Sequence, residues 1–460
     1  MKHISKKRQP VDGLLMILIF SLVFSGLFQV VLAFSNQGVA DVMTFNYVWA
    51  TTPIDNIFHL YSIPSLDYPP LVPVLFRLIT PVLQYFSASA STFLLMKLFP
   101  IAFNLILGIA VYVIVDKKQP LSDMDKALAV VVATFSPTLL FNAAIWGQFD
   151  GLLVLLLFLC FYSVSTKRIY WASAFYAIGC LTKLQFCYFI FPFAAIVILF
   201  YPLRKIVIAT LEGLAIGLLG WLPFMVVSGP SLPLRIYLGG SGKYPFLNLS
   251  AFNTWGIFVR FGVNLQEVDF PFGLDAGKIN IAIILICALI TAILIAYIKR
   301  TVGCLDVRIL TLLVCLFYNT VFIISTQQHE RYQIPVIAFL LIAVCVGNKL
   351  PDRLYLLAFT ALTFLNEVMA YHAGLISEVS QFWFNTLFKT LSFLDVVLSV
   401  IFTVYVIKEL RASRPSDDDE HGERGECVDK PKSEIQGRSE IDDNDAVFFC
   451  HASWIGPVRH

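Results

Sequence analysis

The sequence predicts an all-α, polytopic integral membrane protein. Hydrophobic residues make up 58% of the 460 residues and charged residues only 14%, which is too apolar for a soluble domain. Apolar runs recur along the chain, and many of them are long enough to cross a hydrocarbon core of about 30 Å. A net charge of +2 gives no reason to expect a nucleic-acid partner. The positions of the apolar runs therefore predict the membrane-spanning helices, and the lipid bilayer is an expected partner of the chain.

The apolar runs predict about twelve transmembrane helices. The first follows a basic N-terminal stretch and is interpreted as a retained helix, because a cleaved signal peptide would have a shorter apolar core. The segment 71–86 contains Pro73, Arg77 and Pro81, so we interpret it as an interfacial or re-entrant helix rather than a span. The predicted spans are 14–34, 91–115, 127–144, 151–164, 169–183, 186–202, 206–227, 279–298, 309–325, 334–347, 354–371 and 391–408.

The distribution of lysine and arginine among the loops predicts the orientation. Loops rich in these cations alternate with loops that largely lack them, and the positive-inside rule assigns the first set to the cytoplasm. Both termini are then cytoplasmic, and the loops 35–90 and 228–278 are external, with interfacial helices expected in the first. We divide the chain into a transmembrane domain, 1–411, and a disordered cytoplasmic tail, 412–460, which is rich in charge and poor in apolar residues.

Four short polar clusters fall in loops or helix ends predicted to be external. They are the segments 41–49, 67–70 (D-Y-P-P), 146–150 (W-G-Q-F-D) and 329–332 (H-E-R-Y). Polar and ionisable groups are rare in so apolar a chain, and their convergence on one membrane face indicates an active site.

The first two clusters supply carboxylates. Asp41 lies just outside the first span, beside a short amphipathic helix predicted to lie in the membrane interface. A carboxylate there has restricted access to water, which suits it to accept a proton from a hydroxyl group; the alternative is a helix N-cap. The prolines of D-Y-P-P hold Asp67 and Tyr68 in a fixed direction, either for function or as a structural turn.

The W-G-Q-F-D segment carries groups that can contact sugars. Gln148 and Asp150 can hydrogen-bond hydroxyl groups, and Trp146 offers a face to a sugar ring. The alternative is a tight interhelical turn with an interfacial tryptophan. Three residues of the loop 228–278 are further candidates, with an interfacial aromatic belt as the alternative: Tyr244, Asn253 and Trp255.

Three basic side chains are candidates for binding a phosphate. Lys183, in L-T-K-L-Q, runs against the positive-inside trend and is costly near the membrane, which indicates function; its alternative is snorkelling. His329 and Arg331 open another helix from outside, and arginine can bind a phosphate bidentately. Because H-E-R-Y lacks the second histidine of H-E-x-x-H and the nine cysteines form no C-x-x-C, we expect no metal. Polar neighbours of these residues are substrate-binding candidates: Gln185, Glu330 and Tyr332.

Taken in order, these segments resemble the GT-C superfamily of integral-membrane glycosyltransferases. The resemblance is carried by D-Y-P-P-L, W-G-Q-F-D, T-K-L-Q, Y-P-F-L-x-x-S-A-F-N-x-W and Q-x-H-E-R-Y, and it covers about 14–408. The set is most similar to bacterial mannosyltransferases related to those of GPI-anchor synthesis. D-Y-P-P-L and H-E-R also resemble segments of the lipid-phosphate-glucose-dependent glucosyltransferases of N-glycan assembly.

The resemblance implies a hexosyltransferase of a bacterial plasma membrane. It would move mannose or glucose, with inversion, from a polyprenyl-phosphate donor to a lipid-linked or cell-envelope glycan on the extracytoplasmic face. By position Asp41 would be the general base, and His329 and Arg331 would lie at the donor phosphate; Lys183 is added from the topology. Metal-dependent members carry D-x-D or E-x-D in the first external loop, which this sequence lacks, so no metal cofactor is expected.

Two other classes of protein fit the same composition. A secondary transporter or flippase of lipid-linked sugars also suits about twelve helices, although transporters place their binding groups near the bilayer midplane, commonly in two matching halves. A non-catalytic membrane partner in cell-envelope assembly is the second alternative. A transfer assay distinguishes the enzyme from both.

Overall fold

The computed structural model describes residues 13–38, 45–64, 66–83, 85, 90–116, 121–243, 246–259, 274–303, 305–347, 349–372 and 378–413. Within these ranges the chain is helix and loop, and extended pairing is limited to isolated bridges, such as that of residues 249–250 with His329. The predicted all-α class is therefore confirmed for the described residues. The predicted tail, 412–460, lies outside them apart from its first two positions.

The α-helices of the described chain are labelled in order. The first half contains α1 (Gly13–Ser35), α2 (Val48–Thr51), α3 (Leu71–Leu78), α4 (Thr80–Leu83), α5 (Ala90–Asp116), α6 (Asp123–Phe135), α7 (Pro137–Leu140), α8 (Asp150–Ser165), α9 (Ile169–Cys180), α10 (Leu184–Cys187) and α11 (Ile190–Phe200). The second half contains α12 (Leu203–Ser228), α13 (Leu232–Lys243), α14 (Thr254–Phe258), α15 (Ala276–Thr301), α16 (Val307–Ile324), α17 (Ile334–Val346), α18 (Leu350–His372) and α19 (Glu378–Ala412). The described residues also form a 3-10 helix at Ile57–Ser62, a π-helical turn at Phe141–Trp146 and a short π-helical stretch at 45–47, directly before α2.

Eight helices among the described residues are long and apolar enough to cross a membrane, so the chain is a helical, multi-span membrane protein. They are α1, α5, α6 extended through the π-helical turn, α12, α15, α16, α18 and α19, and each coincides with a predicted span. The other four predicted spans fall on the shorter apolar helices α8, α9, α10 with α11, and α17. The structure therefore shows eight spans of sufficient length where the sequence predicts about twelve. The ambiguous segment 71–86 forms two short helices, α3 and α4, and neither is long enough to cross.

Two of the short helices, α8 and α17, are enclosed by protein. In α17, every residue from Ile334 to Cys345 is buried, and α8 is buried continuously over its first nine residues, 150–158. The two helices pack against each other, and α17 also contacts α16, α18 and α6. The long helix α12, by contrast, buries only Ala209, Trp221 and Phe224, and its leucines are exposed on the outside of the bundle. A helix surrounded by protein needs no fixed match to the bilayer, because its surroundings satisfy both its side chains and its ends.

An ion-pair network joins the starts of α16 and α18 to the end of α19. Arg308 Nε lies 2.7 Å from Asp352 Oδ2, and the same guanidinium pairs with Glu409. Arg353 adds a contact of 2.8 Å to Asp125 at the start of α6. These cations belong to loops predicted to be cytoplasmic. The 18 residues of α16 separate the network from residues 325–333 by roughly 27 Å at 1.5 Å per residue.

Candidate active site

A cavity of about 350 Å³ lies at the end of the bundle opposite this network, where the polar segments meet. Its walls come from the loop after α1, the turn between α7 and α8, the turn between α9 and α10, and the turn between α16 and α17. The lining includes most of the residues singled out in the sequence: Asp67, Tyr68, Trp146, Gln148, Lys183, Gln185, His329, Glu330, Arg331 and Tyr332.

Hydrogen bonds to backbone carbonyls tie these separate segments to one another. Leu71 N, directly after D-Y-P-P, donates to Leu181 O at 2.9 Å, beside the Lys183 turn. Asn46 Nδ2 donates to Gly147 O at 3.4 Å, which joins the segment directly before α2 to the W-G-Q-F-D turn. Buried backbone groups must find partners, and here those partners belong to other cavity segments. The fold thereby fixes the spacing of the cavity walls.

Asn142 organises the W-G-Q-F-D turn. Its carbonyl accepts from Gly147 N at 3.0 Å and Gln148 N at 2.8 Å, and its side-chain oxygen accepts from Asp150 N at 3.2 Å. Gly147 has φ 90°, a left-handed conformation that glycine adopts without steric cost. The π-helical turn that precedes it is a rare conformation, frequent at functional sites.

Lys97, a fully buried lysine of α5, hydrogen-bonds to the residues directly before the same turn. Its ammonium donates to Ala144 O at 2.9 Å, Ile145 O at 3.1 Å and Asn36 O at 2.9 Å. These bonds satisfy carbonyls at the end of the π-helical turn and at the end of α1, where a cation also complements the helix dipole. Lys97 therefore anchors the segment that carries Trp146.

The cations of the cavity are compensated by carboxylates. Lys183 forms a buried salt bridge with Asp150 Oδ1, and Arg331 forms one with Glu330 Oε1. The two pairs adjoin, because Arg331 Nε lies 3.7 Å from Asp150 Oδ2. His329 Nδ1 is 3.6 Å from Glu330 Oε2. Asp150 itself stands behind the cavity wall, outside the lining residues, and reaches the cavity through Lys183.

Burial and charge act in opposite directions on these groups. Burial lowers the pKa of Lys183, and Asp150 offsets part of that effect. For Glu330, burial would raise the pKa, but the Arg331 guanidinium and the hydrogen bond and charge of His329 outweigh burial and lower it to about 2. The Arg331–Glu330 pair is therefore ionised at neutral pH.

Aromatic rings form the rest of the wall. Lys183 Nζ lies 5.7 Å from the centroid of Phe149, and the Arg331 guanidinium lies 5.6 Å from that of Trp146, both within cation–π range. Tyr68 connects Phe149, at 5.7 Å between centroids, to Trp49, at 5.1 Å. The end of the cavity that carries Lys183, Glu330 and Arg331, here called the ionic end, thus continues into an aromatic wall.

Three polar atoms in this wall are buried and have no hydrogen-bond partner among the described residues. They are Trp49 Nε1, Trp146 Nε1 and Gln185 Oε1. Buried polar atoms are nearly always satisfied in native proteins, so their location in a cavity indicates groups that a bound molecule satisfies. Indole donors set in aromatic faces match the hydroxyl groups and apolar C–H faces of a sugar.

Two predicted residues, Asn253 and Trp255, lie elsewhere in the described structure, and two others are not described. Asp41 and Tyr244 are outside the described residues. Asn253 and Trp255 are not part of the cavity lining: Asn253 caps α14 through Gly256 N at 3.1 Å, and Trp255 Nε1 donates to Ile324 O at 3.0 Å. Their contacts anchor the segment after Phe246 to the end of α16, and the substrate contact expected of them stays a prediction.

Sequence reasoning missed four residues that shape the site: Trp49, Lys97, Asn142 and Glu367. Lys97 and Glu367 are ionisable residues inside long apolar helices, the same signal that identified Lys183. Trp49 ends the polar segment 41–49 but was interpreted as part of an amphipathic helix and not as a site residue, and Asn142 stands four residues before Trp146 without any charge to mark it.

Among the described residues, no group of three or more histidine, cysteine, aspartate or glutamate side chains could hold a metal ion. No known protein family matches the chain, and no curated protein is significantly similar to it. The function must therefore be inferred from the cavity and its chemistry.

Proposed function

We propose that the protein is a GT-C-type hexosyltransferase that uses a polyprenyl-phosphate-linked mannose or glucose as donor. The cavity carries this proposal, because it combines a lysine, an arginine and a histidine with aromatic walls and unsatisfied polar atoms. The three basic residues suit a phosphate, and the aromatic walls with their unsatisfied polar atoms suit a sugar. The acceptor would be a lipid-linked or cell-envelope glycan, and the cavity would face away from the cytoplasm.

The ionic end of the cavity suits a leaving phosphate. Lys183 and Arg331 lie side by side, and each is held by a carboxylate that keeps it in place before a ligand arrives. Fixed cations in a water-poor site stabilise negative charge as it develops on the departing polyprenyl phosphate, and arginine can do so with two parallel hydrogen bonds. In the proposed reaction the acceptor hydroxyl oxygen attacks C1 of the hexose, Asp41 takes its proton, and the bond from C1 to the phosphate oxygen breaks.

A second cavity supports a lipid-linked donor over a soluble one. It has a volume of about 510 Å³ and an apolar lining from α9, α11, α12 and α13. A Cβ atom added at Gly217 would meet nothing within 4 Å, and the lining residues Leu214 and Leu218 are exposed on the outside of α12. Its lining also includes Leu181, two residues before Lys183. An isoprenoid chain lying in this groove would bring its phosphate towards the ionic end of the active-site cavity.

We further propose that the four shorter apolar helices also cross the bilayer, which would give about twelve spans with both termini inside. The support is the position of the cavity and of the Arg308 network at opposite ends of α16. Cysteine labelling of two loops predicted to lie on opposite sides of the membrane tests this topology. A cysteine at Tyr85, which is 89% exposed in the predicted external loop 35–90, should react with an impermeant reagent from outside, and one at Arg204 should not.

A transfer assay with purified protein in lipid nanodiscs tests the function. The donors are undecaprenyl-phosphate mannose and undecaprenyl-phosphate glucose, the acceptor source is a bacterial envelope lipid extract, and the measured quantities are free undecaprenyl phosphate and the anomeric configuration of the product. We expect release of the carrier and an inverted product. Arg331→Lys keeps the charge but loses the planar fork and should bind donor more weakly, whereas the exposed Arg204→Lys should behave as wild type. Movement of intact donor across a bilayer without any transfer would favour the flippase instead.

A further inference from the structure

Glu367, a carboxylate buried within α18, is connected to the cavity through one amide group. Asn142 Nδ2 donates to Glu367 Oε1 at 2.7 Å and to Asp150 Oδ2 at 3.0 Å. Both acids are nearly inaccessible, with exposed fractions of 0% for Glu367 and 1% for Asp150. A single NH₂ group thus bridges two carboxylates, one inside a long apolar helix and one paired with Lys183.

The bridge fixes the orientation of the Asn142 amide. Its nitrogen has two hydrogens, and each is used by one carboxylate, while its oxygen accepts from Asp150 N at 3.2 Å. If the amide turned over, its oxygen would face both carboxylates and its nitrogen would face a backbone donor. The backbone N–H and the Oδ2 atom of Asp150 already favour this orientation, and Glu367 provides a further acceptor that stabilises it.

The orientation of Asn142 determines how strongly Asp150 holds Lys183. With the amide bound to Oδ2, Asp150 retains a hydrogen bond and the nearby Arg331 when Lys183 turns towards a ligand. Without that bond, Asp150 would depend more heavily on Lys183, because a buried carboxylate that loses its partners is strongly destabilised. The Lys183 ammonium would then be less available to an incoming anion.

We propose that Glu367 is a positioning residue that acts through Asn142 and Asp150 to make Lys183 available to the donor phosphate. This inference rests on the proposed function, because it assumes that the ligand of Lys183 is a phosphate. Glu367 touches no ligand in this scheme. Its Oε2 atom has no hydrogen-bond partner among the described residues. Within that part of the chain, its carboxyl group therefore hydrogen-bonds only to the amide of Asn142.

The direct test measures the binding of farnesyl phosphate to purified full-length protein. Glu367→Leu removes the acceptor for Asn142 and should raise the Kd roughly tenfold, in the range seen when residues that support a ligand-binding side chain are removed elsewhere. Glu367→Gln keeps an acceptor oxygen at the same place and should stay within about twofold of wild type. If Glu367→Leu does not accumulate, Asn142→Ala removes the same bridge while keeping the backbone carbonyl of the turn, and the same increase is expected.

Asp395→Leu is the matched control. Asp395 is another fully buried acid of a long helix, and it accepts from the amide of Gln333 at 3.0 Å, with no contact to Asp150. Its loss should lower thermal stability as much as the loss of Glu367 and leave the Kd unchanged. An equal rise in Kd for both variants would show a general packing effect and overturn the inference.

A double-mutant cycle separates positioning from structure. If Glu367 acts through Lys183, then Glu367→Leu should not weaken binding further in a Lys183→Met background, whereas independent effects would add. Wild-type protein that fails to bind farnesyl phosphate would overturn the proposed function itself. Wild type and Glu367→Leu binding equally well would overturn only the role of Glu367.

Discussion

Replacing Asp150 with asparagine is expected to destabilise the protein more than any exposed charge removal, and replacing Lys183 with methionine in the same chain should recover much of the loss. The side chains of this pair are only 1% and 5% exposed. Removing one partner of a buried ion pair leaves a buried charge without compensation and typically costs about 3–5 kcal/mol. Removing both partners is often close to neutral, because neither charge then has to be desolvated.

The surroundings of the pair place the expected cost in the upper part of that range. Asp150 also lies 3.7 Å from Arg331 Nε, a separation at which opposite charges attract by on the order of 4 kcal/mol at an effective dielectric constant of about 20. The asparagine variant would leave Lys183 and Arg331 close together, with Glu330, the salt-bridge partner of Arg331, left to compensate both. We therefore expect Asp150→Asn to lose about 4–5 kcal/mol.

The assay is reversible unfolding in mixed detergent micelles, with the two single variants and the double variant forming a cycle. The matched control is Asp275→Asn, which removes the charge of an exposed pair with Lys278, whose side chains are 62% and 60% exposed. Asparagine caps a helix as well as aspartate does, and solvent screens an exposed pair, so this control should leave the stability nearly unchanged. Equal losses for Asp150→Asn and Asp275→Asn, or strict additivity in the cycle, would refute the reasoning.

Three further predictions follow from individual residues. Asp41→Asn should reduce transfer by a factor on the order of 10²–10⁴ with donor binding retained, because it cannot accept a proton; normal turnover would leave only a capping role. The pKa of Glu330 falls from 4.5 to about 2 on folding, so this residue stabilises the fold above pH 4.5, by about 3 kcal/mol, and the contribution is lost as the pH falls towards 2. Unfolding measured against pH should therefore show a shallower acid loss for Glu330→Gln, and parallel curves would contradict the assignment. Lys97→Met should cost at least about 2 kcal/mol in thermal unfolding, because it leaves carbonyls of the W-G-Q-F-D turn unsatisfied; a loss below about 0.5 kcal/mol would remove its anchoring role.

The long helices could be predicted because each presents a continuous apolar surface. Ten large hydrophobic residues of α12 and six of α15 are exposed on the outside of the bundle, so nearly every position must be apolar and the run is unmistakable. The same reasoning fails for α17, where the apolar residues are buried against protein. Apolarity alone does not say whether lipid or protein surrounds a helix, and therefore it does not set the number of spans.

The location of the site was also within reach of the sequence. Polar groups at the ends of successive helices were assigned to one face, and the cavity collects D-Y-P-P, W-G-Q-F-D, T-K-L-Q and H-E-R-Y. The pairing inside the site was not predictable. Asp150 and Lys183 are 33 positions apart, and no pattern in the sequence states that their side chains form a salt bridge. Asp150 was therefore predicted to contact substrate, whereas the structure places it behind Lys183.

What the sequence cannot provide for an intramembrane charge is the identity of its partner. Lys97 and Lys183 are both buried lysines, and the cost of burying an ammonium group marks both as significant. Lys97 donates its three hydrogens to backbone carbonyls, which are fixed and cannot be exchanged for a ligand. Lys183 instead pairs with a carboxylate at the edge of a cavity, and an anionic ligand can compete for that contact. The partner decides between a structural and a functional cation, so the distinction appears only when the chain is folded.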